Sequence, residues 1–284
     1  MAVHRTIAAV HQGPRLFAWR VADESRPAAR SLLICHGAGE HSQRYLRIAR
    51  RAARDGWQVV GFDFRGHGCS DGLPVHVRSF RDYVEDVARV AGHFGLEPAR
   101  TAVLAHSMGG LVTVTAHQQG VFPAAATALS APLLRLEANV PLWKLAAGRV
   151  VKRAWPATRF RTSVAIEDLL ADPAAVAERR RDPLMCRSLT AGWYFSAMTA
   201  VTKAWRLPPP ADTLIMQGTA DRVVSPDAPA EWRDRDGATE VWTLPGQRHE
   251  LLHEPSGVDL ANEAIGWLGD RVSRVFSAPL RDAA

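Results

Sequence analysis

Residues 105–110, Ala-His-Ser-Met-Gly-Gly, place a serine between small residues, where a short apolar run gives way to a helical pattern. The apolar run 101–105 predicts a buried strand, and the residues from Gly109 to Gln119 predict a helix packed on a sheet. A serine at so tight a strand-to-helix turn needs small residues two positions before and after it, as Ala105 and Gly109 are. The pattern therefore predicts a nucleophile elbow with Ser107 as the attacking group.

A serine hydroxyl is a weak nucleophile at neutral pH, so it needs a histidine to accept its proton and a carboxylate to orient that histidine. Asp221 follows the predicted strand 213–217, and His249 follows the predicted strand 239–244. Because sites in parallel sheets form at the carboxyl ends of the strands, we expect Ser107, Asp221 and His249 to meet at one edge. Their order along the chain is that of the α/β-hydrolases.

Three other carboxylates downstream compete for the acid role: Asp227, Asp234 and Asp236. All three fall within or beyond a predicted helix, so we expect them at the solvated surface.

The transition state of acyl transfer also needs two N–H donors for its oxyanion. One comes from the helix that starts after Ser107, and the segment Cys35-His36-Gly37-Ala38-Gly39-Glu40 follows another predicted strand directly. We assign the donors to the backbone N–H groups of Ala38 and Met108. The loop histidines His36, His67 and His106 are interpreted as structural hydrogen-bonding groups.

Strand-like and helix-like stretches alternate along most of the chain, which predicts an α/β fold with a mostly parallel central sheet flanked by helices. Further predicted strands are 31–35, 58–62 and 126–129, and amphipathic helices are predicted around 80–94 and 260–275. Residues 7–10 and 16–21 suit an antiparallel hairpin.

The alternation stops between Leu133 and Pro209. We expect this segment to form an all-helical cap, or lid, inserted into a core made of residues 1–132 and 210–284. It carries 13 Lys or Arg against 6 Asp or Glu, whereas the rest of the chain has 22 basic and 23 acidic residues. The net charge of +6 therefore belongs to the cap, and no nucleic-acid-binding motif accompanies it.

The composition, with 47% hydrophobic and 23% charged residues in 284, is that of a soluble globular protein. No apolar run is long enough to span a membrane, and the N-terminus lacks the pattern of a secretory signal. The three cysteines are odd in number and far apart, which argues against a disulfide framework or a thiolate metal site. A cytoplasmic location is therefore expected, with peripheral membrane association as a further hypothesis.

With these residues in place, the sequence resembles the monoacylglycerol lipase and lysophospholipase group of α/β-hydrolases over roughly residues 30–270. Asp221 and four motifs carry the resemblance: His36-Gly37-Ala38-Gly39-Glu40-His41 with Arg44-Tyr45, Asp63-Phe64-Arg65-Gly66-His67-Gly68-Cys69-Ser70-Asp71-Gly72, His106-Ser107-Met108-Gly109-Gly110, and His249-Glu250-Leu251-Leu252. Ala105 departs from the family, which has glycine at this position.

The resemblance implies a serine hydrolase of lipid-like carboxylic esters, with a helical cap over the acyl pocket and no metal or organic cofactor. Trp143 and Trp193 of the cap are candidate substrate contacts, although core packing is the commoner role for any single tryptophan. Apolar cap residues alternate with basic ones, which predicts contact with an anionic lipid surface; the basic residues are Lys144, Arg149, Lys152 and Arg153.

Several alternatives stay open at this point. The same three residues can drive short-chain esterase, thioesterase, carbon–carbon hydrolase or perhydrolase chemistry. The chain could also be a non-catalytic binding protein. The run His249-Glu250-Leu251-Leu252-His253 matches a zinc-peptidase pattern, but Pro245, Gly246 and Pro255 leave little room for the stable helix that this pattern needs.

Overall fold

The computed structural model describes residues 3–10, 13–25, 28–137, 142–162, 164–235 and 237–277. Eight strands form one sheet: β1 (Val3–Val10), β2 (Leu16–Asp23), β3 (Arg30–Cys35), β4 (Trp57–Phe62), β5 (Thr101–His106), β6 (Ala126–Ser130), β9 (Thr213–Gly218) and β10 (Glu240–Leu244). The strand order is β1-β2-β4-β3-β5-β6-β9-β10. All six strands from β4 to β10 in this order run parallel, and β1 and β2 form the predicted antiparallel hairpin at one edge.

Helices cover both faces of this sheet, because alternate strand residues point to opposite faces and both sets are apolar. Leu32 and Ile34 belong to the cluster beneath α1 (Leu46–Arg54) and α9 (Gly257–Ser277), whereas Leu33 and Cys35 belong to the cluster on the other side. That second cluster includes residues of α2 (Arg81–His93), α3 (Met108–Gln118) and α8 (Ala228–Arg233). The α/β fold class and the mostly parallel sheet are therefore confirmed.

The chain leaves the sheet after β6 and returns to it at β9. Between these strands lie α4 (Leu142–Ala154), β7 (Arg159–Arg161), α5 (Ile166–Leu169), α6 (Pro173–Arg181), β8 (Ser188–Thr190) and α7 (Ala191–Ala204). The expectation of an all-helical cap is wrong in one respect, since β7 and β8 pair as a small antiparallel ribbon. Strands of three residues are too short to show an alternating pattern, so the sequence could not reveal them.

The cap is joined to the core by packing and by polar contacts. Trp193, Ala197 and Ala200 of α7 are buried in the same apolar cluster as α3. The indole Nε1 of Trp205 donates a hydrogen bond to the Leu134 carbonyl at 2.7 Å. Within the described ranges, no helix has both the length and the apolar character needed to cross a membrane. The cysteines Cys35, Cys69 and Cys186 are all unpaired.

Candidate active site

Ser107 lies on the turn between β5 and α3, at the carboxyl edge of the sheet. Its backbone angles are φ 50° and ψ −113°, a conformation that non-glycine residues rarely adopt. Two backbone hydrogen bonds of 3.0 Å hold it there: the Ser107 N–H donates to the Ser130 carbonyl, and the Leu133 N–H donates to the Ser107 carbonyl. The side chain is thereby turned away from the strand at the point where α3 begins.

The glycines around this turn allow three segments to approach one another closely. A β-carbon on Gly109 would collide with the carbonyl oxygens of Cys35 and His36 at the end of β3. A β-carbon on Gly37 would lie 2.9 Å from the ring of His106 and 3.3 Å from the β-carbon of Ser107. The loop after β3 therefore packs directly against the serine turn.

The structure brings together the three side chains predicted to form the reactive row. Nε2 of His249 lies 3.0 Å from Oγ of Ser107, and Nδ1 of His249 lies 2.8 Å from Oδ2 of Asp221. Each residue exposes less than a tenth of its surface, with 8% for Ser107 and 4% for the other two. Such a row can pass a proton from the serine hydroxyl to the imidazole.

The backbone fixes Asp221 as firmly as it fixes Ser107. Oδ1 of Asp221 accepts hydrogen bonds from the N–H groups of Val223 at 2.8 Å and Val224 at 3.0 Å. Burial opposes ionisation of this carboxyl, but His249 and the two N–H groups outweigh burial and lower its pKa. An ionised Asp221 keeps the ring proton of His249 on Nδ1, which leaves Nε2 free to accept the serine proton.

The two predicted oxyanion donors lie on either side of the serine turn. Met108 is the first residue of α3, where an N–H has no acceptor within its own helix. Ala38 follows Gly37 in the loop that contacts Ser107. Among the described residues, no acceptor is found for either N–H. The oxyanion role of these groups stays a prediction.

His36, His67 and His106 occupy structural positions, as interpreted from the sequence. Nε2 of His36 accepts a hydrogen bond of 3.0 Å from the N–H of Phe64, and Nδ1 of His106 lies 3.0 Å from the carbonyl oxygen of Ser130. Burial lowers the pKa of His36 and of His106 to about 4, and that of His67 to about 3. The three rings are therefore neutral near neutral pH.

A buried chain of charged side chains next to the row was not predicted from the sequence; it is formed by Glu40, Arg44, Glu250 and Arg179. Arg44 donates to Glu40 at 2.6 Å and to Glu250 at 2.7 Å, and Nε of Arg179 donates to Glu250 at 2.7 Å. Glu40 also accepts the Gly37 N–H at 2.5 Å. The chain links the loop after β3, the residue that follows His249, and the cap helix α6.

Burial opposes the ionisation of Glu250, but Arg44 and Arg179 outweigh it and lower its pKa to about 2. Glu40 is affected in the same way: burial opposes its charge, but the ring of His253, whose Nε2 lies 3.4 Å from Oε2 of Glu40, and the charge of Arg44 hold its pKa well below the ordinary value. Both carboxylates are therefore ionised and neutralised inside the protein. The spacing of Glu40 and Arg44, four residues apart, was the one signal in the sequence.

The zinc-peptidase reading of His249-Glu250-Leu251-Leu252-His253 is not supported by the placement of these side chains. Both ring nitrogens of His249 are occupied, by Ser107 and by Asp221. Glu250 is paired with two arginines, and the residues that follow form only a short 3-10 helix, Leu251–His253. A search of the described residues finds no group of three or more suitable side chains that could hold a metal ion.

Two of the competing carboxylates lie at the ends of α8 and are not part of this row. Asp227 is the N-cap of α8, Asp234 pairs with Arg233 at the other end of that helix, and Asp236 lies outside the described residues.

The two candidate substrate contacts differ in position. Trp193 is 6% exposed and its Nε1 donates to Sδ of Met108 at 3.3 Å, whereas Trp143 is 69% exposed. Their contact with substrate stays a prediction.

The chain is similar in sequence to known hydrolases. A family model described as Hydrolase_4, serine aminopeptidase S33, matches residues 26–256. The chain is 26% identical over 249 residues to a monoacylglycerol lipase of Mycolicibacterium smegmatis, and this match covers 84% of the chain and 87% of the relative. It is also 26% identical over 254 residues to an uncharacterized abhydrolase domain-containing protein of Dictyostelium discoideum, where the match covers 87% of the chain but 27% of the much longer relative.

Among solved structures, the monoacylglycerol lipase of Paleococcus ferrophilus has the same fold, with a TM-score of 0.80 at 21% sequence identity. This similarity covers 95% of the chain and 100% of the archaeal one. The family model spans most of the sequence, including all three residues of the row. The chain therefore belongs to the Hydrolase_4 family of α/β-hydrolases, and its resemblance to the monoacylglycerol lipase and lysophospholipase group is confirmed.

Proposed function

We propose that this protein is a serine hydrolase that cleaves carboxylic esters of lipid-like substrates, of the monoacylglycerol or lysophospholipid type. The observation that carries the proposal is the row Ser107–His249–Asp221, with its 3.0 Å and 2.8 Å contacts, beneath a cap. The relative in Mycolicibacterium smegmatis, named a monoacylglycerol lipase, supports the class of substrate.

In the first half of the reaction, Oγ of Ser107 attacks the ester carbonyl carbon while Nε2 of His249 accepts the hydroxyl proton. The carbonyl oxygen takes up the displaced electron pair and is stabilised by the N–H groups of Ala38 and Met108. The imidazolium of His249, held by Asp221, then donates its proton to the leaving alcohol oxygen as the carbon–oxygen bond breaks. An acyl-enzyme on Ser107 remains.

In the second half, a water molecule attacks the acyl carbon while Nε2 of His249 accepts one of its protons. The tetrahedral intermediate collapses, the proton returns to Oγ of Ser107, and the carboxylic acid is released. We place Trp193 at the wall of the acyl site, because its indole contacts the side chain of Met108, the residue that follows the nucleophile. These steps use the side chains of the three residues, the two backbone N–H groups and one water molecule.

The proposal is tested with a fluorophosphonate probe and a panel of octanoyl esters, with a matching p-nitroanilide because the family description names an aminopeptidase. We expect wild-type protein to be labelled and to hydrolyse the esters faster than the amide. Ser107→Ala should lose labelling and at least about a thousandfold in kcat. Ser273→Ala, a matched change in α9, should retain both. Absence of labelling in folded wild-type protein would favour a binding protein instead.

We propose further that the cap contacts anionic membrane surfaces. Trp143 and Val150 of α4 are 69% and 66% exposed, and Arg149 and Arg153 of the same helix are exposed as well. Exposed apolar side chains next to cations suit the interface of an anionic bilayer. Co-sedimentation with vesicles containing phosphatidylglycerol should exceed that with phosphatidylcholine alone and should fall as salt rises from 50 to 500 mM. Binding that ignores both variables would contradict this proposal.

A further inference from the structure

A cavity of about 470 Å³ lies against the loop after β3, the loop that also carries Ala38, and the mechanism above does not use it. Its walls come from the loop after β3 at Gly39 and Glu40, the loop after β4 between Gly66 and Pro74, and the cap between Pro183 and Ser188. Its first lining residue along the chain, Gly39, directly follows Ala38. The volume lies in the range of small-molecule binding sites.

The walls of this cavity are held in shape by buried hydrogen bonds. One carboxylate, Asp63, accepts the N–H of Ser42 at 2.7 Å and the N–H of Cys69 at 2.8 Å, which ties the two core loops together. The N–H of Cys186 donates to the Gly39 carbonyl at 2.8 Å, which ties the cap segment to the loop beside Ala38. The cavity is therefore preformed rather than assembled by a ligand.

The lining carries an excess of positive charge. Arg159 of β7 and Arg187, just before β8, both line the cavity and are exposed. Neither has a carboxylate partner within the described part of the chain. Of the lining residues, only Glu40 is acidic, and Arg44 neutralises it at 2.6 Å. Two uncompensated guanidinium groups at the rim of a preformed cavity favour a bound anion, above all a phosphate.

His67 is one of the residues that line the same cavity. Nδ1 of His67 lies 3.1 Å from the carbonyl oxygen of Arg65, so this nitrogen carries the proton and donates it. The other nitrogen, Nε2, is buried and has no partner among the described residues. A ligand in the cavity does not reach this buried atom, so Arg159 and Arg187 carry the polar recognition.

We infer that this cavity binds the phosphate of a phosphorylated acyl ester, such as a 1-acyl-glycerol 3-phosphate. Arg159 and Arg187 would bind the phosphate. This inference rests on the proposed function and deepens it, because it selects a phosphate-bearing substrate over a neutral monoacylglycerol.

The main test compares two octanoyl substrates below their micellar concentrations, 1-octanoyl-glycerol 3-phosphate and 1-octanoyl-glycerol. We expect kcat/KM for the phosphate ester to exceed that for the neutral ester. In the double variant Arg159→Gln/Arg187→Gln, the ratio of the two values should fall at least about tenfold, since two charge-assisted contacts are lost. The control Arg47→Gln/Arg50→Gln removes two exposed charges from α1, outside the cavity, and should leave the ratio unchanged.

A second arm tests the phosphate with wild-type protein alone, so it does not depend on a variant that folds. The octanoyl ester of 3-hydroxypropyl phosphate keeps the phosphate but lacks the free hydroxyl, and its kcat/KM should also exceed that of the neutral octanoyl-glycerol. A third arm uses free glycerol 3-phosphate as an inhibitor of p-nitrophenyl butyrate hydrolysis. Inhibition that disappears in the Arg159→Gln/Arg187→Gln variant, without a preference for the phosphate ester, would assign the site to a free phosphate ligand.

An unchanged substrate ratio in Arg159→Gln/Arg187→Gln, together with no inhibition by glycerol 3-phosphate, would overturn the inference. Hydrolysis of p-nitrophenyl butyrate and labelling of Ser107 report the proposed function separately. Absence of both in wild-type protein would overturn the proposed function itself. If both are present but the ratio of kcat/KM for the two octanoyl esters does not depend on Arg159 and Arg187, only the head-group site is overturned.

Discussion

Ser107 holds its strained backbone conformation because several neighbours share the task of fixing it. Its N–H donates to the carbonyl oxygen of Ser130, the last residue of β6, and its carbonyl oxygen accepts the N–H of Leu133, three residues further on. A strained residue persists only where the surrounding structure over-determines it, and here the strain turns Oγ toward His249. The same local arrangement explains the small residues that flank the serine. Ala105 is buried within β5, so its extra methyl group packs in the core without reaching the turn.

Asp221→Asn tests the orientation of the imidazole at the scale of one atom. An amide cannot hold the Nδ1 proton as a carboxylate does, so the ring of His249 would favour the tautomer whose Nε2 carries the proton. We expect kcat for ester hydrolysis to fall by about 10³-fold to 10⁴-fold while KM changes little. The exposed Asp227→Asn is the matched control. A rise in KM at unchanged kcat would show that Asp221 serves binding rather than the proton transfer.

At the scale of elements, the cap is fastened to the loop that carries His249. Glu250 connects to α6 through Arg179, the Glu250 N–H donates to the Leu169 carbonyl at 2.9 Å, and Glu254 accepts the Asp172 N–H at 3.1 Å. A second contact joins His41 to Asp182 at 2.8 Å. The part of the cap around α5 and α6 and the loop of His249 therefore share one set of contacts.

Arg179→Met tests this fastening. The substitution keeps much of the side-chain volume but leaves one oxygen of the buried Glu250 without its partner, and breaking such a pair typically costs about 3–5 kcal/mol. We expect the free energy of unfolding, measured in urea, to fall by about this amount and kcat to fall with it. Arg180→Met, which removes an exposed pair with Glu167, should cost less than about 1 kcal/mol.

A double variant distinguishes the energetic effect of losing the ion pair from the effect of replacing the Arg179 side chain. In Arg179→Met/Glu250→Gln the second substitution removes the stranded charge, so we expect part of the lost stability to return relative to Arg179→Met. If the two single substitutions simply add, Glu250 and Arg179 are not energetically coupled and the fastening has another cause.

Elements that depend on local sequence features could be predicted, whereas contacts between distant residues could not. The strands and the positions of Ser107, Asp221 and His249 were predictable, because apolar runs and the loops that follow them are local features. The pair of Arg179 and Glu250 joins residues 71 positions apart, and only the packed structure brings them together. The ribbon of β7 and β8 could not be predicted for a different reason: each strand has three residues and no pattern of its own.

At the scale of the whole molecule, the core contains neutral histidines that the unfolded chain would protonate. His36, His67 and His106 are all buried, and burial lowers the pKa of each to about 4, about 3 and about 4, respectively. In an unfolded chain their pKa values are about 6.5. At pH values between the folded and the unfolded pKa values of these histidines, the unfolded state binds more protons than the folded state. Lowering the pH therefore shifts the equilibrium toward the unfolded state.

The free energy of unfolding should therefore be fully developed above about pH 6.5 and should decrease as the pH falls toward 4, by at most about 1.4 kcal/mol per pH unit for each histidine. Below about pH 4.5 the decrease continues, because Glu250 with its pKa of about 2 resists a protonation that the unfolded chain accepts. Urea unfolding at pH 7.5, 6.5, 5.5 and 4.5 measures this slope.

The slope can be assigned to individual rings by substitution. In His106→Asn the side-chain amide can still donate to the Ser130 carbonyl, as Nδ1 does now, but it cannot be protonated. The slope of the free energy of unfolding against pH should become shallower between pH 6.5 and 4.5. The decrease should correspond to at most one proton fewer taken up on unfolding, even if the variant is less stable at every pH. His93→Asn removes an exposed imidazole from the end of α2 and should leave the slope as it is. A slope of the free energy of unfolding against pH that is equal in both variants and in wild-type protein would mean that the His106 ring does not contribute to the acid sensitivity of the fold.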